Sequence, residues 1–431
     1  MGIFIPLVII FFSCLCIWRA CDGFEIASEY IGRNMSEGVR GGTINAISSS
    51  LPELLTTLIA LFVLSDKDGF SVGIGTTAGS ALFNGMIIPA ACILAVIGSV
   101  VVGVRVTSVN VSLKVLARDG ITLIVCEAIL IVIISGTTLY WWQGFVLMAM
   151  YLTYLAYMLR SMKKRPSMEA AEEEEEAAVD DATEAGPVGM LGRFFYWVSL
   201  GPLLDLERWM VRQRQRDQME KEEWNGWPLL ITASLIMGAA CWILVTACEW
   251  LGSGPSNSDN PYYELLGYRF TGLGMPAMFV AVIFASMATS VPDTVMSIRD
   301  ARDGDYDDAV ANALGSNIFD ICFALGFPLF LFTLFHGPLK MDADIVELSG
   351  ELRLLLLGFT ILGFLVYYLG KRGTSPNGAR YVEMKRSKAF LLLGFYCLFA
   401  IYVVGRGQRV QWAMHISRFL QDMLSVIPSL A

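Results

Sequence analysis

The sequence predicts an all-α membrane protein of about ten transmembrane helices arranged as two inverted five-helix repeats. Three observations carry this. Apolar residues come in long runs, a polar central stretch divides the runs into two sets, and one proline–carboxylate element recurs at matching places in both sets.

The 431 residues are 55% hydrophobic and only 16% charged, with mean hydropathy +0.57. A soluble domain carries nearer a quarter charged residues. Met1–Trp18, Ile121–Tyr140, Phe145–Leu159, Pro228–Cys248, Phe279–Met287, Ile318–Leu334, Leu354–Leu369 and Ala389–Val404 are almost free of charge. Most approach the roughly 20 residues that span a bilayer, and none has the polar face of a soluble helix.

Five helices are expected before the central stretch, near 3–31, 37–64, 70–104, 121–136 and 140–160. Met1–Cys16 resembles a signal peptide, but the helical pattern continues past Arg19 through Phe24–Ile31, so a long first membrane helix is preferred. Five more are expected near 227–252, 274–299, 305–335, 350–370 and 388–404. The chain then divides into a first repeat (1–160), a central loop (161–226), a second repeat (227–404) and a tail (405–431). An odd number of helices per half sends the second half into the membrane from the opposite side, an arrangement common among transporters.

Basic residues orient this layout. With the N-terminus outside, the inside loops collect Arg33 and Arg40, then Arg105, Lys114 and Arg118, then Lys163–Arg165, Arg299 and Arg302, and finally Lys371 through Lys388. The outside loops hold little beyond Lys67, Arg269, Lys340 and Arg353, as the positive-inside rule requires. The tail, with Arg406, Arg409 and Arg418, would lie outside and fits that rule less well. The central loop is therefore expected to be cytoplasmic.

Much of the net charge of −9 lies in Glu169–Glu184, the composition of a solvated linker. No nucleic-acid partner is expected. Phe194–Trp224 mixes aromatics with Arg208, Arg212, Arg214 and Arg216, and reads as a helix on the membrane surface or a solvated one. The nine cysteines fall mostly inside apolar runs, which is packing usage rather than a disulfide framework. His336 and His415 are too few and too distant for a zinc site.

The repeated elements carry the chemistry. SSSLPELLTT (48–57) is followed by TTAGSALFN (76–84), and ATSVPDTVMS (288–297) by NALGSNIFD (312–320). Pro52 cannot donate to the carbonyl of Ser48, nor Pro292 to that of Ala288, so each helix is expected to break mid-membrane. Irregular backbone at that depth survives only where it is buried or lines a wet cavity. Beside each break sits a carboxylate, Glu53 or Asp293. A lone charge at the bilayer centre costs at least about 2.5–3.5 kcal/mol, so it must meet a cation, a proton or a partner.

Ser49/Glu53, Thr289/Asp293, Ser80/Asn84 and Ser316/Asp320 are each spaced i, i+4, which puts both oxygens of a pair on one helix face. Taken singly, a proline is a kink, a serine bonds back to its own helix and a Gly-Ser pair packs helices closely. Taken together, in matching positions of two halves, they read as one site. An all-oxygen set with several carboxylates suits Ca2+ or Na+ better than Mg2+ or a thiophilic metal.

These residues resemble the two alpha-repeats of the Ca2+/cation antiporter superfamily, whose pattern is G-T-S-x-P-E-L-x-T-S followed by G-S-N-I-x-N or G-S-N-I-x-D. Here the repeats occupy about 39–90 and 274–330. The Glu53/Asp293 pair and the strings GSALFN and GSNIFD lean toward the K+-dependent Na+/Ca2+ exchanger branch. The G-N-x-x-E element of proton-coupled Ca2+ exchangers is absent. The resemblance implies that Glu53 and Asp293 bind Ca2+ and are shared with Na+. It further implies that Ser49, Ser50, Thr289, Ser290, Ser80 and Ser316 complete the sites. Asn84 and Asp320 would be polar partners, with K+ at Asp320. Ser48 and Ala288 stand where the family has Gly, Ser49 where it has Thr, and Met296 where it has the second-repeat Thr.

The expectation is an antiporter exchanging Na+ for Ca2+, with K+ as a third ion, by alternating access. No cofactor is expected beyond the transported ions. The rivals are an H+/Ca2+ or Na+/Mg2+ exchanger and, from another class, a cation channel. No nucleophile–base constellation suggests an enzyme. Asp22 and Glu249 sit in similar contexts, ACD and ACE, and are expected to stabilise helix ends or line an access path. Glu127 is expected near a helix start, facing water or complementing the helix dipole.

Overall fold

The computed structural model describes residues 1–31, 46–62, 69–101, 104–161, 196–197, 201–221, 223–257, 260–374, 378 and 380–426. The chain is mostly helical. In order come α1 (Phe4–Ile31), α2 (Ala46–Ser49 and Leu51–Phe62), α3 (Gly69–Val96), α4 (Leu113–Ile133) and α5 (Trp141–Ser161). Then follow α6 (Trp227–Gly252), α7 (Ala277–Thr289 and Val291–Asp303), α8 (Tyr306–His336), α9 (Ala343–Tyr368), α10 (Arg386–Gly407) and α11 (Gln411–Leu424).

Among the described residues seven helices are long and apolar enough to cross a membrane, namely α1, α3, α5, α6, α8, α9 and α10; the bent α7 makes an eighth. The described part of α2 offers only the short apolar Leu51–Phe62. α4 carries Lys114, Arg118, Asp119 and Glu127 and so reads as less apolar.

α1 runs unbroken through Arg19 and packs along α6. Both bury small side chains, Ala20 and Ala27 on one and Ala233, Ala240 and Ala247 on the other, which lets backbones approach. α3 is the central helix, with every residue of Gly69–Leu82 buried. A Cβ on Gly75 would lie 2.5 Å from the Met278 carbonyl oxygen, and one on Gly79 only 2.1 Å from that of Val282. α3 and α7 therefore touch backbone to backbone.

Short strands tie the connections. β1 (Val100–Val101) and β2 (Val104–Arg105) form a hairpin; β3 (Val109–Ser112) pairs antiparallel with β9 (Arg380–Met384), which also pairs with β8 (Arg372–Thr374). β4 (Thr138–Leu139) pairs with β7 (Leu339–Lys340), and β5 (Tyr263–Leu265) with β6 (Tyr268–Phe270).

Several expectations need correction. α4 begins at Leu113, not near 121. Asp119 is neutralised in place by Arg118 (2.6 Å) and accepts from the Tyr154 hydroxyl (3.0 Å), so charges that look like loop sequence sit inside a helix. Glu127 is consequently mid-helix and 1% exposed, with the Thr360 hydroxyl donating to it at 2.8 Å, rather than facing water at a helix start.

Arg353 is not in a loop. It is buried in α9 and donates to the Ser349 carbonyl (3.0 Å) and to carbonyls of Leu130 and Ile134 at the C-terminal end of α4, where a cation complements the helix dipole. The tail holds further helix. α10 extends to Gly407, and α11 packs back on α9 through Ser417, which donates to buried Glu351 (2.8 Å). Within Phe194–Trp224 the described residues form three short helices, Gly201–Leu204, Leu206–Met210 and Gln213–Glu220, in place of one continuous surface helix. The acidic stretch Glu169–Glu184 lies outside the described residues.

Candidate cation site

The breaks in α2 and α7 fall at Ser50 and Ser290, two residues before each proline. Pro52 and Pro292 occupy the second position of the following half-helix, where no N–H is missed. Of the carbonyls the prolines leave without a helical donor, that of Ser48 receives the Cys21 thiol of α1 at 3.2 Å. α7 bends by 44° at its break.

Behind the breaks, α3 and α8 each loosen into a π turn, at Phe83–Ile87 and Asp320–Ala324. Asn84 opens into the first and Asp320 begins the second. A π turn adds a residue to one helical turn and so re-aims the side chains around it, a feature frequent at functional sites.

All ten residues expected at the site are buried, none more than 1% exposed. Ser80 is their hub. Its hydroxyl lies 3.1 Å from Glu53 Oε1, 2.9 Å from Asp320 Oδ2 and 2.8 Å from Ser290 Oγ, and it accepts from Asn84 Nδ2 at 3.3 Å. Asn84 Nδ2 also donates to Asp293 Oδ2 at 3.1 Å, and Ser316 donates to Asp293 Oδ1 at 2.9 Å. Ser49 bonds Asp293, and Thr289 lies beside Glu53. Ser50 faces Asp320 out of hydrogen-bonding geometry. Each of the two break-side carboxylates is thus held by groups from both halves of the chain.

The hydrogen bonding does not close. Ser80 has one proton for two carboxylates, and its contact with Ser290 can run either way. Glu53 Oε2, Asp320 Oδ1, Asn84 Oδ1 and Ser50 Oγ are buried with no partner among the described residues. Among the described residues no lysine or arginine pairs with Glu53, Asp293 or Asp320. Unmet buried acceptors cost about 1–3 kcal/mol each, more when charged. Every one of these atoms is an oxygen, which is what a hard cation takes. No three acidic, histidine or cysteine side chains among the described residues converge tightly enough to chelate an ion alone, so any ion there would also need hydroxyl and amide oxygens.

A sequence model of the family described as sodium/calcium exchanger protein matches residues 5–160 and 225–405. The chain belongs to that family. Human sodium/potassium/calcium exchanger 5 is 27% identical over 380 residues, covering 78% of this chain and 71% of the relative. Mouse sodium/potassium/calcium exchanger 3 is 38% identical over 141 residues, 32% of this chain and 20% of the relative. The crystal structure of the H+/Ca2+ exchanger CAX shares the fold, with TM-score 0.52 at 10% identity over 97% of this chain and 90% of that one.

The family match skips 161–224, so the ten site residues all lie in its matched parts. In this exchanger-family chain a small cleft borders the site at Ser49 and Pro292. Asp22, Glu25, Met296 and Arg299 also line it. Asp22 pairs with Arg19 at 3.3 Å and keeps 36% of its side chain exposed, which places it at the rim rather than among the clustered buried oxygens. Sequence reasoning missed the π turns, the Cys21–Ser48 contact and the direct Ser80–Ser290 link; none has a local residue signature.

Proposed function

We propose that this chain is an antiporter exchanging Na+ for Ca2+, with K+ as a third transported ion, by alternating access through two inverted five-helix repeats. One observation carries the reading: Glu53 and Asp293, one from each half, are buried together among uncompensated oxygens. Ca2+ or Na+ would compete for both. The site can cross the apolar barrier only with its charges met, and this couples the two ion movements.

Glu53 and Asp293 would be the direct Ca2+ ligands, with Ser49, Ser50, Ser80, Thr289, Ser290 and Ser316 completing the Ca2+ and Na+ positions. Asn84 orients Asp293. Three carboxylates carry up to three negative charges, of which Ca2+ meets two; the remainder supports a monovalent ion at Asp320. The names of the relatives, sodium/potassium/calcium exchangers, agree with that set of ions. The energy source would be the Na+ gradient together with the membrane potential, worth about 2.3 kcal/mol per charge per 100 mV.

The loop pairings support the inverted ten-helix layout. β3 with β9, and Ser112 with Asp307 (2.6 Å), join loops that the layout puts inside. β4 with β7, Tyr263 with Gly2 (2.7 Å) and Gln408 with Leu273 (2.8 Å) join segments it puts outside. Each contact obeys one topology.

The test is Ca2+ uptake into vesicles holding the purified protein, driven by an outward Na+ gradient with and without external K+. Uptake that depends on Na+ and rises with K+ is expected. Uptake indifferent to Na+ but abolished by collapsing a pH gradient would overturn the reading in favour of proton exchange.

A further inference from the structure

Asn84 reaches Asp293 from the π turn of α3, and a side chain outside the site holds that turn. Pro89 stands two residues past Phe83–Ile87. In a continuous α-helix the N–H of residue 89 would serve the carbonyl of Gly85, but a proline has no N–H to give. Gly85 therefore carries a carbonyl without its ordinary helical donor, in the middle of the turn and directly beside Asn84. At membrane depth such a group is met by a neighbouring helix.

The donor is the hydroxyl of Tyr367 on α9. Tyr367 is only 2% exposed, so water does not compete for the bond. Its backbone is fixed as well. It lies in the last turn of α9, and Lys388 of α10 donates to its carbonyl at 3.4 Å, where a cation complements the helix dipole. α9 passes close to the turn: a Cβ on Gly363, one turn before Tyr367, would lie 4.0 Å from the same Gly85 oxygen. On the other side of Asn84, the Asn317 amide of α8 donates to the carbonyl of Ala81 at 2.8 Å. The segment that presents Asn84 is thus held on both sides by other helices. Asn317 belongs to the repeated element NALGSNIFD, whereas Tyr367 belongs to neither repeat.

We infer that Tyr367 is a positioning residue for ion binding: its hydroxyl supplies the hydrogen bond that Pro89 denies to Gly85 and so keeps Asn84 aimed at Asp293. The role rests on the exchange-site reading above. Without the hydroxyl the Gly85 carbonyl must rotate toward another donor, and the adjoining residue turns with it. The Asn84 amide then leaves Asp293 Oδ2 and Ser80 Oγ, which it meets at 3.1 and 3.3 Å. Asp293 would keep Ser49 and Ser316 but lose its contact from α3.

Equilibrium 45Ca2+ binding to the full-length purified protein in lipid nanodiscs tests this as a double-mutant cycle. Tyr367→Phe is expected to weaken binding about tenfold, the worth of one hydrogen bond to a charged centre. Tyr367→4-aminophenylalanine keeps a donor at that place and should bind like the parent. Because Tyr367 acts through Asn84, adding Tyr367→Phe to Asn84→Ala should weaken binding no further, although it lowers the thermal midpoint in both backgrounds. Losses that multiply in the double variant would overturn the assignment, since a general loosening of the fold adds to the loss of Asn84. So would parental binding by Tyr367→Phe, or a 4-aminophenylalanine protein as weak as the phenylalanine one. Glu53→Gln in the same assay separates the two readings. Unchanged binding there sinks the site itself, whereas unchanged binding in Tyr367→Phe beside a weakened Glu53→Gln sinks only the role of Tyr367.

Discussion

Ser80 is the residue on which the site turns, because one hydroxyl serves a glutamate of its own half and a serine and an aspartate of the other. Ser80→Ala should weaken Ca2+ binding about tenfold, the worth of one hydrogen-bonding oxygen to a charged centre. Glu53→Gln or Asp293→Asn removes half of the paired charge; stripping one partner from a buried ion pair costs about 3–5 kcal/mol, or more than about 100-fold in affinity. Equilibrium 45Ca2+ binding measures both, and a Glu53→Gln protein that binds like the parent would remove the site assignment. Asp320 has a different expected signature. Asp320→Asn should abolish the stimulation of Ca2+ uptake by K+ while Na+-driven uptake persists, since Ca2+ keeps its two carboxylates. Equal loss of both activities would mean that Asp320 is a Ca2+ ligand.

At the scale of helices, position depends on close approach. Gly79 lets α3 lie against the α7 backbone, and a methyl there would also meet Ser286 Oγ at 2.7 Å. Gly79→Ala touches no proposed ligand, yet it should separate the two half-sites. Overpacking of this kind costs about 1–3 kcal/mol, so both the thermal midpoint in detergent and Ca2+ affinity should fall together. A variant with lowered midpoint but unchanged affinity would show that the half-sites do not need this contact. Arg353 supplies the complementary case. Arg353→Gln leaves carbonyls at the end of α4 without their donor, and about 2–3 kcal/mol of stability should go with it, read as a lower thermal midpoint.

The same scale explains what could be read from residues alone. Eight of the ten clustered positions could be picked out from i, i+4 spacing and repetition in two halves, which are local patterns, whereas Ser50 and Ser290 came only from the family resemblance. The breaks were legible from Pro52 and Pro292, though displaced to Ser50 and Ser290, since proline tolerates the first turn of the helix that follows it. Glu127 and Arg353 were misplaced for one reason. Their charges are accommodated by groups distant in sequence, Thr360 for one and the carbonyls of Leu130 and Ile134 for the other, and hydropathy takes any charge near an apolar run as its end. The π turns at Phe83–Ile87 and Asp320–Ala324 depend on how α3 and α8 are crowded by their neighbours, and no residue type announces them.

The whole molecule reads as two halves neither of which contains a site. Asp293 draws Ser316 from its own half but Ser49 and Asn84 from the other, and Ser80 bridges Glu53 to Ser290 and Asp320. The halves also interlock through α1 along α6 and α3 against α7. A chain divided within 162–195 and expressed as two pieces should therefore reassemble, co-purify and take up Ca2+ under a Na+ gradient, because the contacts that build the site do not run through the cut. Either piece alone should bind no Ca2+ above background: it would hold one break-side carboxylate with a partial oxygen shell, and a desolvated charge so poorly met would favour a proton over a divalent ion. Measurable 45Ca2+ binding by the first piece alone would mean that the ion is held within one repeat, and the coupling of Na+ to Ca2+ would then need a different origin from competition across the interface.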